Sequence, residues 1–311
     1  MDMQTLNEMG RSSYSQFKHE ARLHQWAYRE QVLKVGYNKY KNVLRYEDAK
    51  KGLIFFEVFR DEILAKLKEP IEPTSTPPSG FMLTNLLRSE HIPYNIFFPM
   101  HHDLDGCKRL FCDLLSTDDI LTIDKIKIEY HPEPIKDYLN DHTAFDVYVA
   151  YKNRANQLCG IGIEVKYTEN SYPLKPQSHE YSQVKDENGN TCLKGRYALV
   201  TKECGYYKEE VTHDMLVSNK FRQIWRNHIL GASMVLKGDN IKKFTSVTLF
   251  PSQNVHFSQD AIPKYQKFLT EEHYNEFVPV TYETLFKMMD KYLFVPHKKE
   301  WIKYLNVRYL F

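Results

Sequence analysis

The sequence is short of the features that usually announce a chemistry. Its 311 residues include five cysteines, at positions 107, 112, 159, 192 and 204, with no CxxC pair and no even set to build a framework. That usage argues against a disulfide scaffold and fits reduced thiols in a reducing compartment. Thirteen histidines are scattered without the paired spacing of a zinc site. There is no Gly-rich phosphate loop, no GxSxG elbow and no HExxH, so three common catalytic frameworks have no foothold.

An excess of one charge is missing too. Forty-two basic side chains meet 40 acidic ones for a net charge of +2, so no global field announces nucleic acid and only a local basic groove remains open. No apolar stretch approaches the roughly 20 residues that a membrane-spanning helix needs. The opening MDMQTLNEMG carries an acid and no apolar core, so a cytoplasmic protein without a secretory leader is expected.

What is present is ordinary in bulk and rich in rings. A hydrophobic fraction of 42% with 26% charged residues suits a folded chain with a large core, at a length between one elaborated domain and two. Aromatics reach 14%, with 22 Tyr and 18 Phe, which suits core and ligand surfaces built from large rings.

Residues 11–34 read as a polar helix and 47–68 as a second one, with Phe55, Phe59, Ile63 and Leu67 at intervals of four. The proline-rich EPIEPTSTPPSG, 69–80, reads as a linker. Residues 83–98 look helical with a break near Pro93 and Thr84 as a cap. Three alternating segments follow: IDKIKIEYH, TAFDVYVAY and GIGIEVKYT. The polar stretch 169–211 reads as an irregular lid or binding loop, 214–237 as the strongest helix, 244–251 as a fourth strand, and the rest as mostly helical. No internal repeat is evident.

The third strand poses the chemical question. Ile161, Ile163, Val165 and Tyr167 alternate with Gly162, Glu164 and Lys166, so Glu164 and Lys166 share a face. Charged neighbours on a strand are usually solvated. Asp146, however, lies on the preceding strand, and neighbouring strands run about 5 Å apart, so the two carboxylates converge if the register allows. Paired carboxylates repel and call for a cation, for which Mg²⁺ with its oxygen ligands is the natural choice. A lysine beside it would stabilise charge developing on a phosphate.

FDVYVAY followed by GIEVKYTE resembles the core of the PD-(D/E)xK nuclease superfamily, in a bacterial branch that carries an RQIWRNH helix after the strands, here Arg222 to His228. The resemblance runs from about Gln25 into the C-terminal helices. The proline that usually precedes the aspartate is replaced by Phe145, at a position that varies widely. The resemblance implies metal binding by Asp146, Glu164 and the carbonyl of Val165, with Lys166 positioning or activating the attacking water. It further implies Glu90 as an acid facing the metal from the first core helix and Gln223 as an orienting residue for the lysine or for DNA; Arg226 on the same helix as Gln223 could hold a phosphate. Glu129 could reach the same site but reads more simply as a surface acid. His101 and His102 read as ordinary loop histidines.

The expected fold is α/β, a restriction-endonuclease-like core with a mixed four-stranded sheet flanked by helices. Its expected organisation is an N-terminal helical extension and linker over 1–80, a core over 81–255 that includes the 169–211 insertion, and a C-terminal helical part over 256–311 packed on the core. The expected function is Mg²⁺-dependent phosphodiester hydrolysis, with Mn²⁺ able to substitute and DNA as the nucleic acid. A homodimer would suit paired cuts in a duplex. The competing reading keeps the same fold as a weakly active or inactive module that binds nucleic acid or protein. A third class is hydrolysis of another phosphate ester.

Overall fold

The computed structural model describes residues 13–68, 80–169, 173–176, 178–238 and 241–311; the expected linker falls outside them except for Gly80. Five strands form one mixed sheet in sequential order: β1 (Ile120–Tyr130), β2 (Phe145–Asn153), β3 (Leu158–Val165), β4 (Phe244–Phe250) and β5 (Phe277–Thr281). β1, β2 and β3 pair antiparallel, whereas β3–β4 and β4–β5 pair parallel. A parallel neighbour needs a crossover, and the chain between β3 and β4 supplies it.

Around the sheet lie α1 (Ser13–Tyr28), α2 (Arg60–Lys68), α3 (Ile92–Phe97), α4 (Leu104–Leu114), α5 (His179–Val184), α6 (Gly195–Glu203), α7 (Arg222–Lys237), α8 (Tyr282–Tyr292) and α9 (Lys298–Tyr309), with further short helical pieces between them. One hydrophobic cluster joins Val147, Val149, Ile161, Ile163, Val247 and Leu249 to residues of α1, α3, α4, α8 and α9. A second, on the opposite face, joins Tyr148, Ala150 and Phe244 to α6 and α7. α7 lies close to the sheet because Gly231 faces Phe244: a Cβ there would come within 2.0 Å of the ring. The polar face of β3 therefore looks at a helix and not at water.

The fifth strand is an addition to the expected four. FVPVT is short and contains Pro279, which interrupts any alternation signal but is tolerated where β5 forms the sheet edge. The expected helix over 47–68 is broken, since 50–59 form turns with Gly52 at φ +71°, leaving a short Tyr46–Ala49 helix and α2. The fourfold spacing of Phe55, Phe59 and Ile63 reflects three buried side chains on a turn-and-helix path. The expected 83–98 helix is likewise split into Gly80–Thr84 and α3, with Pro93 in the first turn of α3. Thr84 ends the first piece, and Glu90 lies on the intervening non-helical chain.

The 169–211 stretch carries α5 and α6, and its Val184, Leu193, Tyr197 and Val200 are buried in the second cluster. Its polarity concealed a sparse but well-used set of apolar anchors.

Candidate active site

The sheet register sets the site. Ile128 pairs with Val147 and Tyr130 with Phe145, which puts Glu129 opposite Asp146; Val147 pairs with Ile163, and one residue further Asp146 stands opposite Glu164. Three carboxylates thus occupy one rung across three neighbouring strands, each step about 4.8 Å. Glu129 adopts φ +54°, a left-handed conformation that costs a non-glycine residue roughly 1–2 kcal/mol.

Each acid has a defined anchor. Asp146 Oδ2 accepts from the backbone N–H of Val165 at 2.6 Å, which ties the β2 acid to β3. Glu164 is 8% exposed and Lys166 3%, so neither is the solvated strand charge that such a pattern usually signals. Lys166 donates to Glu164 Oε1 and to Gln223 Oε1. Asn227 Nδ2 donates to Glu164 Oε2. Gln223 and Asn227 sit four residues apart on α7, hence on one face, so a single helix holds the lysine through one amide and the glutamate through the other.

The electrostatics of the rung are strained. Burial, then Glu164 and Glu129, push the carboxyl of Asp146 well above the usual carboxylate range, against the opposing pull of Lys166 and the Val165 N–H. Burial, then Glu164 and Glu90, push Glu129 up to about 8. An oxygen-only donor set with surplus negative charge fits a hard divalent cation such as Mg²⁺ or Mn²⁺. Among the described residues no three Asp, Glu, His or Cys side chains make a cation site by themselves. An ion here would take two carboxylates and complete its shell with backbone carbonyl and water, as Mg²⁺ commonly does.

The chain just past the lysine is tied from three directions. Tyr282 O–H donates to the carbonyl of Lys166 at 2.8 Å, Asn254 Nδ2 to that of Tyr167 at 2.8 Å, and Gln25 Nε2 to the Tyr167 hydroxyl at 2.8 Å. Glu169 then accepts from Ser89 N–H at 3.1 Å and Ser89 O–H at 2.9 Å, drawing in the segment that carries Glu90.

The structure therefore brings Asp146, Glu164, Lys166 and Gln223 together, with Val165 bridging through its N–H. Glu90 lies at the rim, paired with Arg88, and its charge acts on Glu129. Arg226 is elsewhere in its contacts: it bonds Tyr197 Oη at 2.9 Å, Glu180 at 3.0 Å, Asp141 at 3.2 Å and Thr143. With the Arg222–Glu180 ion pair at 2.7 Å, this clamps α5 and the loop before β2 onto α7. His101 binds the carbonyls of Phe98 and Ile126, and His102 stacks on Phe59, so neither forms a metal pair.

Two participants were missed or undervalued in the sequence. Asn227 lay within the quoted RQIWRNH, and its i+4 spacing from Gln223 was the available signal. Glu129 reads as a surface acid from sequence because the alternation of β1 shows its face but not what covers that face.

A mixed sheet that displays an aspartate, a glutamate and a lysine beside a helix amide is an arrangement suited to phosphodiester chemistry. The chain belongs to the PD-(D/E)XK nuclease superfamily, whose family model matches residues 12–311. Nuclease chemistry is the kind of reaction this membership supports, and members of the superfamily generally use divalent metal ions. No curated protein and no solved structure matches the chain. No helix among the described residues is long and apolar enough to cross a membrane.

Proposed function

We propose that this protein is a Mg²⁺-dependent nuclease that hydrolyses phosphodiester bonds in DNA, with Mn²⁺ able to replace Mg²⁺. The observation that carries the reading is the opposed Asp146–Glu164 pair with Lys166 held beside it by Gln223. Asp146 and Glu164 would hold the ion together with the carbonyl of Val165. Bound there, the ion would supply Lewis-acid polarisation of the phosphate and a water of lowered pKa.

The protein's own groups do the remainder. Lys166 exchanges its bond to Glu164 for one to the scissile phosphate or the attacking water, and Gln223 keeps its ammonium in place during that exchange. Asn227 fixes the orientation of the Glu164 carboxylate, as supporting hydrogen bonds do for ligating groups. Val165 N–H holds one oxygen of Asp146 and so fixes the direction of the other.

The test is cleavage of supercoiled plasmid and labelled single-stranded DNA by purified protein in Mg²⁺ or Mn²⁺, beside Lys166→Ala. Cutting by the wild type alone supports the reading; equal cutting by both, or by neither, counts against it.

A second reading, a nucleic-acid- or protein-binding module without turnover, is favoured by one feature: both Glu164 oxygens already have internal donors. Metal binding discriminates. Mn²⁺ should raise the melting temperature of wild type and leave Glu164→Ala unmoved if the site loads.

A further inference from the structure

The near-neutral net charge hides a local concentration. Between residues 34 and 51 stand Lys34, Lys39, Lys41, Arg45, Lys50 and Lys51 against Glu47 and Asp48, a net of +4 in a chain whose total is +2. All six basic side chains are exposed. Lys50 and Lys51 pair with Glu47 and Asp48, whereas Lys34, Lys39, Lys41 and Arg45 have no carboxylate partner among the described residues.

The same segment displays aromatic faces. Tyr37, Tyr40 and Tyr46 are 44%, 59% and 69% exposed. Lys39 Nζ lies 5.4 Å from the Tyr40 ring centre and Lys50 Nζ 5.8 Å from that of Tyr46. Exposed rings beside lysines are poor components of a merely solvated surface, because each ring leaves an apolar face in water.

The segment has a fixed shape. A bridge pairs Tyr37 with Leu44, Val43 N–H donates to the Tyr40 carbonyl at 2.8 Å, and Asn38 N–H to that of Val43 at 2.8 Å. Arg29, buried beneath, donates to the carbonyls of Lys41 and Val35 and lies 5.0 Å from the Tyr37 ring centre. Gly36 makes room for Arg45, whose guanidinium lies 2.6 Å from where a Cβ would stand.

It is also joined to the site. Asn42 Nδ2 donates to Asn85 Oδ1 at 2.9 Å, Leu44 N–H to Thr84 O at 2.8 Å, and Leu86 N–H to Asn42 O at 3.0 Å. A few residues on, Thr168 and Glu169 bond Leu87 and Ser89. From Asn85 to Glu90 the chain spans at most about 18 Å.

We propose that the 34–51 hairpin and turn form a stacking platform for a single-stranded stretch of nucleic acid, with bases on Tyr37, Tyr40 and Tyr46 and phosphates on Lys34, Lys39, Lys41 and Arg45. A duplex hides its base faces, so exposed rings favour unpaired nucleotides, while the lysines follow the backbone whatever the sequence. This deepens the nuclease reading and rests on it for the identity of the ligand. The platform would deliver the unpaired strand to the carboxylate rung.

The experiment measures binding without turnover. Full-length protein in EDTA is titrated into a fluorescein-labelled 20-nucleotide single strand, its duplex, and the RNA strand of the same sequence, with anisotropy as the readout. Tyr40→Ala/Tyr46→Ala should weaken single-strand binding by about tenfold or more, Tyr40→Phe/Tyr46→Phe should restore it, and duplex binding should change less. Lys39→Ala/Lys41→Ala should reduce the slope of log affinity against log salt by about 1.4. Tyrosine-dependent binding of either the DNA or the RNA strand supports the platform and identifies the polymer. Unchanged affinity in the tyrosine pair, or an equal loss for duplex, overturns it. Plasmid cleavage by the wild type in Mg²⁺ separates the two proposals: tyrosine-dependent binding in a wild type that never cuts would leave the platform standing while the nuclease reading falls.

Discussion

Two buried charge clusters flank α7, and they are built on opposite principles. On one side Glu129, Asp146 and Glu164 crowd around a single lysine, and burial plus mutual repulsion lift Asp146 well above its usual range and Glu129 to about 8. On the other, Arg222 and Arg226 meet Glu180 and Asp141, with Tyr197 and Thr143 completing the bonds. There burial still raises Asp141, yet Arg226 and the hydroxyl partners outweigh it and hold the acid below its ordinary value. The balanced cluster is complete within the chain. The crowded one has surplus carboxylate, a charge that a divalent cation would offset.

Breaking each cluster should give different kinds of loss. The largest effect expected is on turnover: Asp146→Ala or Lys166→Ala should lower cleavage by about 10³-fold or more, the scale of losing a preorganised charge-stabilising group. Asp146→Ala should melt no lower than wild type by more than about 1 kcal/mol, since it also removes a repelling carboxylate. A parallel plasmid assay and thermal melt check both.

Arg226→Ala should invert that pattern. It strands Asp141 without its cation while Glu180 keeps only Arg222, a change that typically costs about 3–5 kcal/mol, and the melting temperature should fall accordingly. Below its melting point the variant should still cut. A loss of cutting with unchanged stability would instead restore Arg226 to a phosphate role.

Asn227→Leu and Gln223→Leu probe the link between the clusters, because both residues hang from the same helix. Each should cost about 10- to 100-fold in activity or metal affinity, as loss of supporting hydrogen bonds to ligating groups does. Melting should be little changed. Manganese titration of the melting temperature reads the metal term directly.

The smallest effect expected is in the pH dependence. An acid whose folded pKa is raised favours folding fully below its unfolded value, here about 4.5, and that contribution is lost as pH rises towards about 8. Burial pushes His228 and His256 down to about 3 and about 4, so they take up protons only in the unfolded chain and add a rising slope at the foot of the pH 6.5–8 window, one that wild type and Glu129→Gln share. In chelator, the stability of wild type relative to Glu129→Gln should therefore decline from pH 6.5 to 8. Parallel curves for the two proteins would remove Glu129 from the crowded cluster.

How far the sequence could be read follows from what local pattern encodes. The alternation of GIGIEVK displayed Glu164 and Lys166 on one face, and spacing alone brought Asp146 near them. Burial of that face was not legible, because it depends on α7 approaching across Gly231, a contact distant in sequence. Sequence alone puts Glu90 on a helix, since 83–98 lacks breakers before Pro93; its loop is fixed by bonds to Asn42 and Glu169, which periodicity does not register. β5 was hidden by a proline that only an edge strand tolerates. Arg226 looked like a ligand-binding residue because its partners, Glu180 and Tyr197, lie in a stretch whose polarity read as irregular.

The bonds that converge just past Lys166 have a practical consequence for anyone seeking a smaller protein. Gln25 comes from the first described helix, Asn254 from the turn after β4, and Tyr282 from α8; Tyr282 grips the carbonyl of Lys166, and the other two grip Tyr167 next to it. They act as guy lines on a mast: the lysine stands where it does because tension reaches it from both ends of the fold. Trimming the molecule to its sheet and nearest helices would keep every residue of the motif and slacken the one that has to be held most firmly.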